Sequence, residues 1–223
     1  MQSPFDVEAQ ALAKHVISNG AELTILQNLD LQITRGESLA IVGSSGSGKS
    51  TLLGLLAGLD RPSTGRILIR GEDIGSLDED GRAAVRGRYM GFVFQSFQLL
   101  QGLTALENVA MPLQLAGNTD ALEIARSALE RVGLAERTTH YPKHLSGGEQ
   151  QRVAIARAFA TQPSILFADE PTGNLDSATG KSIIDLLFKL NAESGTTLVL
   201  VTHDMQLASR CQRVLELQNG QLK

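Results

Sequence analysis

The sequence has 223 residues, of which 42% are hydrophobic and 20% charged; this is a globular composition, long enough for one large domain with a real core. The net charge is −4, and the lack of a basic excess argues against a domain that holds nucleic acid non-specifically. Cys211 is the only cysteine, which excludes an internal disulfide, and we interpret it as a small residue on a helix.

The early part of the chain predicts two kinds of strand. Residues 23–33 partly alternate apolar and polar side chains, as a half-exposed strand does, whereas residues 38–42 form an apolar run typical of a buried strand. A helical run follows at residues 50–57, then a turn at 61–65 and another alternating strand at 66–71. We therefore expect antiparallel strands beside a parallel core.

The middle of the chain is mainly helical in pattern. Residues 80–88 favour a helix and residues 91–95 a short buried strand. The helical pattern of residues 104–133 opens with a capping box, Thr104 to Glu107, and breaks at residues 117–118. One apolar face at helical spacing is predicted from Ala121, Leu122, Ile124, Ala125, Ala128, Leu129 and Val132.

The last third returns to alternating helices and strands. Helices are predicted at residues 148–160, 178–191 and 205–209, and strands at residues 164–168, 197–201 and 213–217. Such alternation indicates a parallel sheet with covered faces. No apolar run is long enough to span a bilayer and residues 1–6 lack signal-peptide features, so we expect a cytoplasmic protein that reaches a membrane only by docking.

A glycine-rich loop between the buried strand and the first helix fits G-x-x-x-x-G-K-[ST]. Its residues are Gly43, Ser44, Ser45, Gly46, Ser47, Gly48, Lys49, Ser50 and Thr51. Glycines let successive N–H groups turn inward as an anion nest, and the helix adds its positive end. Lys49 can contact β- and γ-phosphates, and Ser50 can offer a hydroxyl to Mg²⁺. The alternative, a chance match in a turn, does not explain the strand–loop–helix context.

Two further segments have the residue types that ATP chemistry needs. Asp169 and Glu170 end an apolar strand, where the first could hold Mg²⁺ and the second could act as general base on water. The alternative is an acidic turn before Pro171. Ser146 followed by two glycines caps a helix with open N–H groups and predicts a second anion site, with a plain capped helix as the alternative. Two phosphate sites in one chain suggest that two chains meet face to face.

The motifs resemble those of one family along essentially the whole chain. Residues 145–152 resemble the signature sequence of ABC-type ATPases. Gln95 matches the family's Q-loop, Asp169 and Glu170 its Walker B motif, residues 173–176 its D-loop, and His203 its H-loop. Residues 92–100, 106–109 and 168–176 resemble the branch that serves lipoprotein-release and macrolide-export transporters.

The resemblance implies an α/β fold of the P-loop NTPase type. Its RecA-like core would carry an antiparallel β-subdomain and an inserted helical subdomain at about residues 97–159, within one ABC-type ATPase domain over residues 1–223. It also implies ATP and Mg²⁺ as cofactors. Lys49 and the backbone of residues 45–51 would hold the phosphates.

The resemblance also implies roles for the remaining motif residues. Ser50, Gln95 and Asp169 would bind the metal, Asp169 through water. The catalytic residues would be Glu170 as base, His203 at the γ-phosphate, and Gln95. The signature would reach the ATP of the opposite chain in a homodimer through Ser146, Gly147, Gly148 and Glu149. Asp176 would connect the two sites, whereas His15, His140 and His144 are expected to be surface or structural residues.

The expected function is ATP hydrolysis that powers a transporter at the inner face of the cell membrane, with the permease as a separate chain. Phe97, Leu99 and Leu100 are candidates for the groove that receives the permease, with core packing as the alternative for each. The branch implies export or extraction of apolar, lipid-like molecules. An alternative is an ATPase that drives a mechanotransmitting permease and regulates an extracytoplasmic enzyme.

Two other functions are disfavoured. An ABC-type engine acting on DNA or ribosomes is expected to carry a second ATPase domain or a long coiled coil, and a small-molecule kinase would have no use for the signature.

One position departs from the family pattern. Family members usually place an aromatic residue near the N-terminus to stack on adenine, and Val16 occupies that position here. Base–aromatic stacking is worth roughly 1–3 kcal/mol in nucleic-acid systems. We therefore expect weaker nucleotide affinity and looser base selectivity.

Overall fold

The structure, a computed structural model, describes residues 3–18 and 20–223. The chain divides into two compact units. The first unit comprises Met1–Met90 and Thr196–Lys223, and the second comprises Gly91–Gly195.

The first unit contains an antiparallel sheet. Its strands are β1 (Phe5–Ser18), β2 (Ala21–Thr34), β4 (Thr64–Ile69) and β5 (Glu72–Asp73), in the order β2-β1-β4-β5. The sequence predicted β2 and β4 but not β1. Register shifts after Ala9 and Leu12, with Ala11 at φ +48°, interrupt the alternation by which a strand is recognised.

Parallel strands form the second layer of the first unit. They are β3 (Ser38–Val42), β8 (Thr197–Val201), β9 (Arg213–Gln218) and, antiparallel at the edge, β10 (Gln221–Leu222), in the order β10-β9-β3-β8. All five residues of β8 are buried, which explains its uninterrupted apolar sequence. Because β3 and β8 are parallel, their carboxyl ends lie at the same edge. The loops that follow them, residues 43–48 and 202–204, therefore leave from one side.

Three helices belong to the first unit: α1 (Lys49–Leu56), α2 (Glu79–Tyr89) and α7 (Met205–Ala208). A buried polar contact joins the two layers of this unit. The Thr197 hydroxyl donates to Asp6 at 2.6 Å and accepts from the N–H of Gly36 at 2.7 Å. Asp6 is 3% exposed and also lies 3.5 Å from the guanidinium groups of Arg35 and Arg70, so its charge is compensated.

The second unit is built on two strands and a group of helices. These are β6 (Met90–Phe94), α3 (Ala105–Leu115), α4 (Ala121–Arg131), α5 (Gly147–Ala160), β7 (Ile165–Asp169) and α6 (Ser177–Ser194). Strands β6 and β7 are neighbours, and the rings of Phe92 and Phe167 stack across them at 5.8 Å. Ile165, Leu166, Phe167 and Ala168 of β7 are each 0% exposed, so this strand rigidly supports the carboxylates at its end.

Several local predictions for the second unit are confirmed. The capping box of Thr104 and Glu107 opens α3, and Gly117 at φ +75° ends the helical run before α4. The predicted face of α4 is only partly right. Ala121, Ala125, Leu129 and Val132 are buried, but Leu122 is 49% exposed because it lies one residue, about 100°, round the helix from Ala121.

We expected Cys211 to lie on a helix, but it lies in the bend between α7 and β9, where it is buried. Short 3₁₀ turns occur at Ile74–Ser76, Ala135–Arg137 and Pro142–His144. Among the described residues, none of the helices is both long and apolar enough to cross a bilayer.

Candidate functional site

The glycine-rich loop joins β3 to α1 in a conformation that its glycines permit. Gly43 has φ +156°, and a side chain there would collide with the carbonyl oxygen of Leu217. Gly46 and Gly48 lie in the left-handed region, at φ +78° and +99°. The Lys49 ammonium donates to the carbonyl oxygens of Gly43 at 2.9 Å and Ser44 at 3.0 Å. The Lys49 ammonium is thus held by the carbonyl oxygens of the same loop in which we expect phosphate to bind.

The donors of this loop suit an anion. Helix α1 begins at Lys49 and has no side-chain cap, so its amino-terminal end is not blocked by a polar side chain. The Ser47 hydroxyl is buried and has no hydrogen-bond partner in the protein. A buried hydroxyl without a partner costs about 1–3 kcal/mol.

His203 lies at the same edge of the first unit as the glycine-rich loop. His203 lies two residues after the end of β8. The residue before it, Thr202, is buried, and the residue after it, Asp204, caps α7 with its carboxylate. A cavity of about 520 Å³ joins His203 to the loop, lined by Val42, Gly43, Ser44, His203, Met205, Val214, Glu216 and Lys223. The structure therefore brings together two motifs that lie about 150 residues apart in sequence.

The carboxylates of Asp169 and Glu170 lie at the end of β7 in the second unit. Glu170 has φ +44°, an unfavourable conformation for a residue with a side chain, and its carbonyl accepts from the N–H of Gly173 at 3.0 Å. Backbone strain of about 1–3 kcal/mol is typical of functional positions. The turn therefore begins at Glu170, one residue after β7 ends at Asp169.

Gln95 is held by Asn174 through two hydrogen bonds. The Gln95 amide nitrogen donates to Asn174 Oδ1 at 3.1 Å, and the Asn174 amide donates to the Gln95 backbone carbonyl at 3.0 Å. Gly173 leaves the room for this contact, since a Cβ there would lie 2.7 Å from the Gln95 nitrogen. With its nitrogen engaged, Gln95 offers its amide oxygen. A hydroxyl, an amide oxygen and a carboxylate are the hard ligands that Mg²⁺ prefers, so the chemistry of Ser50, Gln95 and Asp169 fits this metal.

The segment after Gln95 adopts an unusual backbone conformation. Phe97 and Gln98 have φ of +60° and +48°. Their carbonyl oxygens both accept from the guanidinium of Arg157 on α5, at 3.1 and 2.7 Å. Of the candidates for a permease groove, Leu99 is buried and Leu100 is 47% exposed.

The signature opens α5 and contacts the D-loop. Ser146 is the N-cap and forms a capping box with Glu149. A Cβ on Gly147 would lie 3.3 Å from Leu175, and a Cβ on Gly148 would lie 2.6 Å from Thr179. Both glycines therefore permit close packing of α5 on the start of α6, in addition to leaving their N–H groups open.

Asp176 is the N-cap of α6. Its carboxylate accepts from the N–H groups of Ala178 and Thr179 at 3.1 and 3.0 Å. The Thr179 side chain, followed by the backbone N–H groups, holds the pKa of Asp176 below its ordinary value. Asp176 is therefore ionised at neutral pH and has a structural role in addition to the proposed one.

The predicted site residues fall in two groups. The first unit holds residues 43–51, His203 and Val16, which is half-buried and pairs with Leu23 across β1 and β2. The second unit holds Gln95, Asp169, Glu170, Asp176 and the signature residues Ser146, Gly147, Gly148 and Glu149.

Sequence reasoning missed Arg157, and it placed Asn174 in the D-loop without predicting its contact with Gln95. No spacing pattern reveals such partners.

Comparison with known families decides the assignment. The sequence model described as ABC transporter matches residues 26–173, which include the glycine-rich loop, Gln95, the signature and the two carboxylates. The chain belongs to the ABC transporter family. The family resemblance and the P-loop α/β fold are thereby confirmed, and the protein is an ATP-binding, ATP-hydrolysing ABC ATPase of a transporter.

Relatives of this ABC ATPase match it over nearly its full length. An uncharacterised ABC transporter ATP-binding protein YbbA of Escherichia coli strain K12 is 55% identical, covering 97% of this chain and 96% of its own. The lipoprotein-releasing system ATP-binding protein LolD of Idiomarina loihiensis is 48% identical, with 96% and 95% covered. The ATP-binding cassette MJ0796, solved as a dimer in a post-hydrolysis state with ADP and Pi, superposes with a TM-score of 0.89 at 40% identity and covers 97% of this chain and 96% of its own.

Proposed function

We propose that this ABC ATPase works as a homodimer in which each of two ATP molecules is bound by the glycine-rich loop of one protomer and the signature of the other. The observation that carries this proposal is the presence in one chain of two separate sets of anion donors. One is the loop of residues 43–51, which leads into a helix without a side-chain cap, and the other is the helix start at Ser146. The dimeric structures of MJ0796 support it.

In this proposal the first unit binds the triphosphate. Lys49 exchanges the carbonyls of Gly43 and Ser44 for the β- and γ-phosphates, and the N–H groups of the loop and of α1 provide further hydrogen bonds. His203 contacts the γ-phosphate from the other side of the cavity that it shares with the loop. The nucleotide is thereby oriented with its terminal phosphate toward the cavity.

Hydrolysis requires a base and a means of stabilising phosphate charge. Ser50, Gln95 and Asp169 would hold Mg²⁺, which when bound neutralises developing charge on the phosphate oxygens. The Gln95 amide is already oriented by Asn174. Glu170, in the strained turn after β7, takes a proton from the attacking water. Asp176 links the sites of the two protomers because it caps the helix against which the signature packs.

We further propose that the dimer docks at the inner membrane face on a permease that is a separate chain, and that the cargo is apolar or lipid-like. The support is the identity with LolD, described as part of a lipoprotein-releasing system. Phe97 and Leu100, next to the segment clamped by Arg157, are proposed to contact the permease.

The test is the molecular mass of Glu170→Gln in solution, with and without Mg-ATP. Loss of a general base slows hydrolysis by about 10²–10⁴, so ATP persists and the mass should double. Glu130→Gln, a similar change on the exposed face of α4, is the control, and its molecular mass with and without Mg-ATP should equal that of the wild type. A Glu170→Gln protein that stays monomeric, alone and with a co-purified membrane partner, would refute the dimer.

A second experiment concerns the cargo. The membrane protein that co-purifies with the wild type is reconstituted in vesicles with the ATPase, and hydrolysis is measured with and without an acylated peptide. Stimulation together with removal of the peptide from the bilayer supports transport. ATP hydrolysis that responds instead to an extracytoplasmic enzyme, with no movement of the peptide, would favour a mechanotransmitting role.

The role of Val16 is tested by Val16→Tyr. If Val16 lies against adenine, an aromatic ring there should tighten ATP binding by about 1 kcal/mol or more and raise the preference for ATP over GTP. Exposed Ile17→Tyr on the same strand is the control. Unchanged affinity and preference in Val16→Tyr would contradict the assignment.

A further inference from the structure

The capping box at the start of α5 commits the hydrogen bonds of the signature serine. The Ser146 N–H and hydroxyl both donate to Glu149 Oε2, at 2.8 and 2.9 Å, and the hydroxyl oxygen accepts from the Glu149 N–H at 3.3 Å. A serine hydroxyl has a single proton. In this arrangement that proton points at a carboxylate.

Glu149 is an anion at neutral pH. The Ser146 backbone N–H, with smaller effects from the Ser146 hydroxyl and from Arg137, holds the pKa of Glu149 below its ordinary value against the opposing effect of burial. The proposed function places the γ-phosphate of the opposite protomer at this helix start. A carboxylate would then repel the phosphate and compete with it for the Ser146 proton.

Arg137 lies on the other side of the same carboxylate. Its Nε is 3.2 Å from Glu149 Oε1, the oxygen that Ser146 does not use. Its Nη1 lies 3.3 Å from His140 Nε2, and since arginine only donates, that ring nitrogen is the acceptor. His140 is itself tied to the start of α3, where its carbonyl accepts from the Ala105 N–H at 2.8 Å. The guanidinium is therefore held in place beside the signature.

We propose that Arg137 is a positioning residue for ATP-driven dimerisation. Its guanidinium neutralises Glu149 and attracts the negative charge of the carboxylate toward Oε1, away from Oε2, so that the Ser146 hydroxyl can donate to the γ-phosphate of the other protomer. The inference rests on the proposed dimer. The Arg137–Glu149 pair then carries no net charge toward the phosphate. Without Arg137, each of the two ATP sites in the dimer contains one uncompensated carboxylate.

The test is a double-mutant cycle on the dissociation constant of the Mg-ATP dimer, measured in the Glu170→Gln protein. Arg137→Ala should raise this constant by about 2- to 30-fold, because the carboxylate–phosphate repulsion that it unmasks at each of the two ATP sites should be worth about 0.2–1 kcal/mol, the range for exposed charge pairs. In the Glu149→Gln background, which keeps the capping box without the charge, Arg137→Ala should change it less than about twofold. Added salt should reduce the effect of Arg137→Ala in the protein that keeps Glu149, since screening weakens the repulsion between the Glu149 carboxylate and the phosphate.

The matched control is Arg131→Ala. Arg131 pairs with Glu193 at 2.9 Å with similar exposure, 49% against 48% for Arg137, so its removal should leave the dimer unchanged. The inference would be overturned, and the dimer left intact, if Arg137→Ala changed the dimer dissociation constant equally in the parent protein and in the Glu149→Gln background, or changed it in neither. A parent protein that does not dimerise with Mg-ATP would refute the dimer and the inference with it.

Discussion

The contact between Gly148 and Thr179 gives a prediction in which the sign of a mutational effect should change. A Cβ on Gly148 would lie 2.6 Å from Thr179 Cγ2, where ordinary contacts are 3.4–4 Å. Thr179 cannot turn away freely, because it is β-branched and lies in the first turn of α6, where few rotamers are open to it. Overpacking of this kind costs about 1–3 kcal/mol. Alanine recovers up to about 0.5–1 kcal/mol over glycine in a helix, so Gly148→Ala should destabilise by about 1–2 kcal/mol.

Thr179→Ser is the matched background, since it removes the colliding methyl group and keeps the hydroxyl. There, Gly148→Ala should be neutral or stabilising, because only the helical preference of alanine remains. The assay is thermal unfolding monitored by circular dichroism. In the Thr179 protein we expect a fall in Tm of about 2–8 °C, from about 2–4 °C per kcal/mol for a chain of this size. An equal fall in the Thr179→Ser protein would refute the steric explanation.

Three other predictions concern single side chains. Asn174→Ala should raise the Mg²⁺ concentration needed for half-maximal binding of a fluorescent ATP analogue about fivefold, because about 1 kcal/mol of hydrogen bonding to Gln95 is lost; an unchanged Mg²⁺ requirement would contradict this. Burial raises the pKa of the Cys211 thiol to about 11, so iodoacetamide at pH 8 should label it far more slowly in the native state than in guanidinium, and equal rates would disprove its burial. The pKa of Asp176 is depressed below 3.8 by Thr179, so its cap stabilises the fold above that pH; the Tm deficit of Asp176→Ala should be full at pH 7 and shrink as the pH falls below 3.8, whereas a constant deficit would exclude this cause.

The sequence by itself determined the family and most of the helices and strands. Residues 38–42 and 197–201 are uninterrupted apolar runs because parallel strands are covered on both faces, and their predicted bounds agree with β3 and β8. The glycine-rich loop, the capping box of Thr104 and Glu107 and the N-cap Ser146 could be read from residue type and spacing, because their interactions are made between residues at most a few positions apart. Strand β1 was missed because its bulges interrupt the alternation.

Only the tertiary structure decided which distant residues support these motifs. Asn174 reaches Gln95 across 79 positions, and Arg157 reaches Phe97 across 60, both by donating to backbone carbonyls, which every residue has. Gly148 could be predicted as a glycine with open N–H groups, but its close contact with Thr179 depends on how α5 packs on α6. Local hydrogen bonding follows from residue order, whereas contacts between elements depend on the packing of the whole core, and no periodicity in the sequence encodes them.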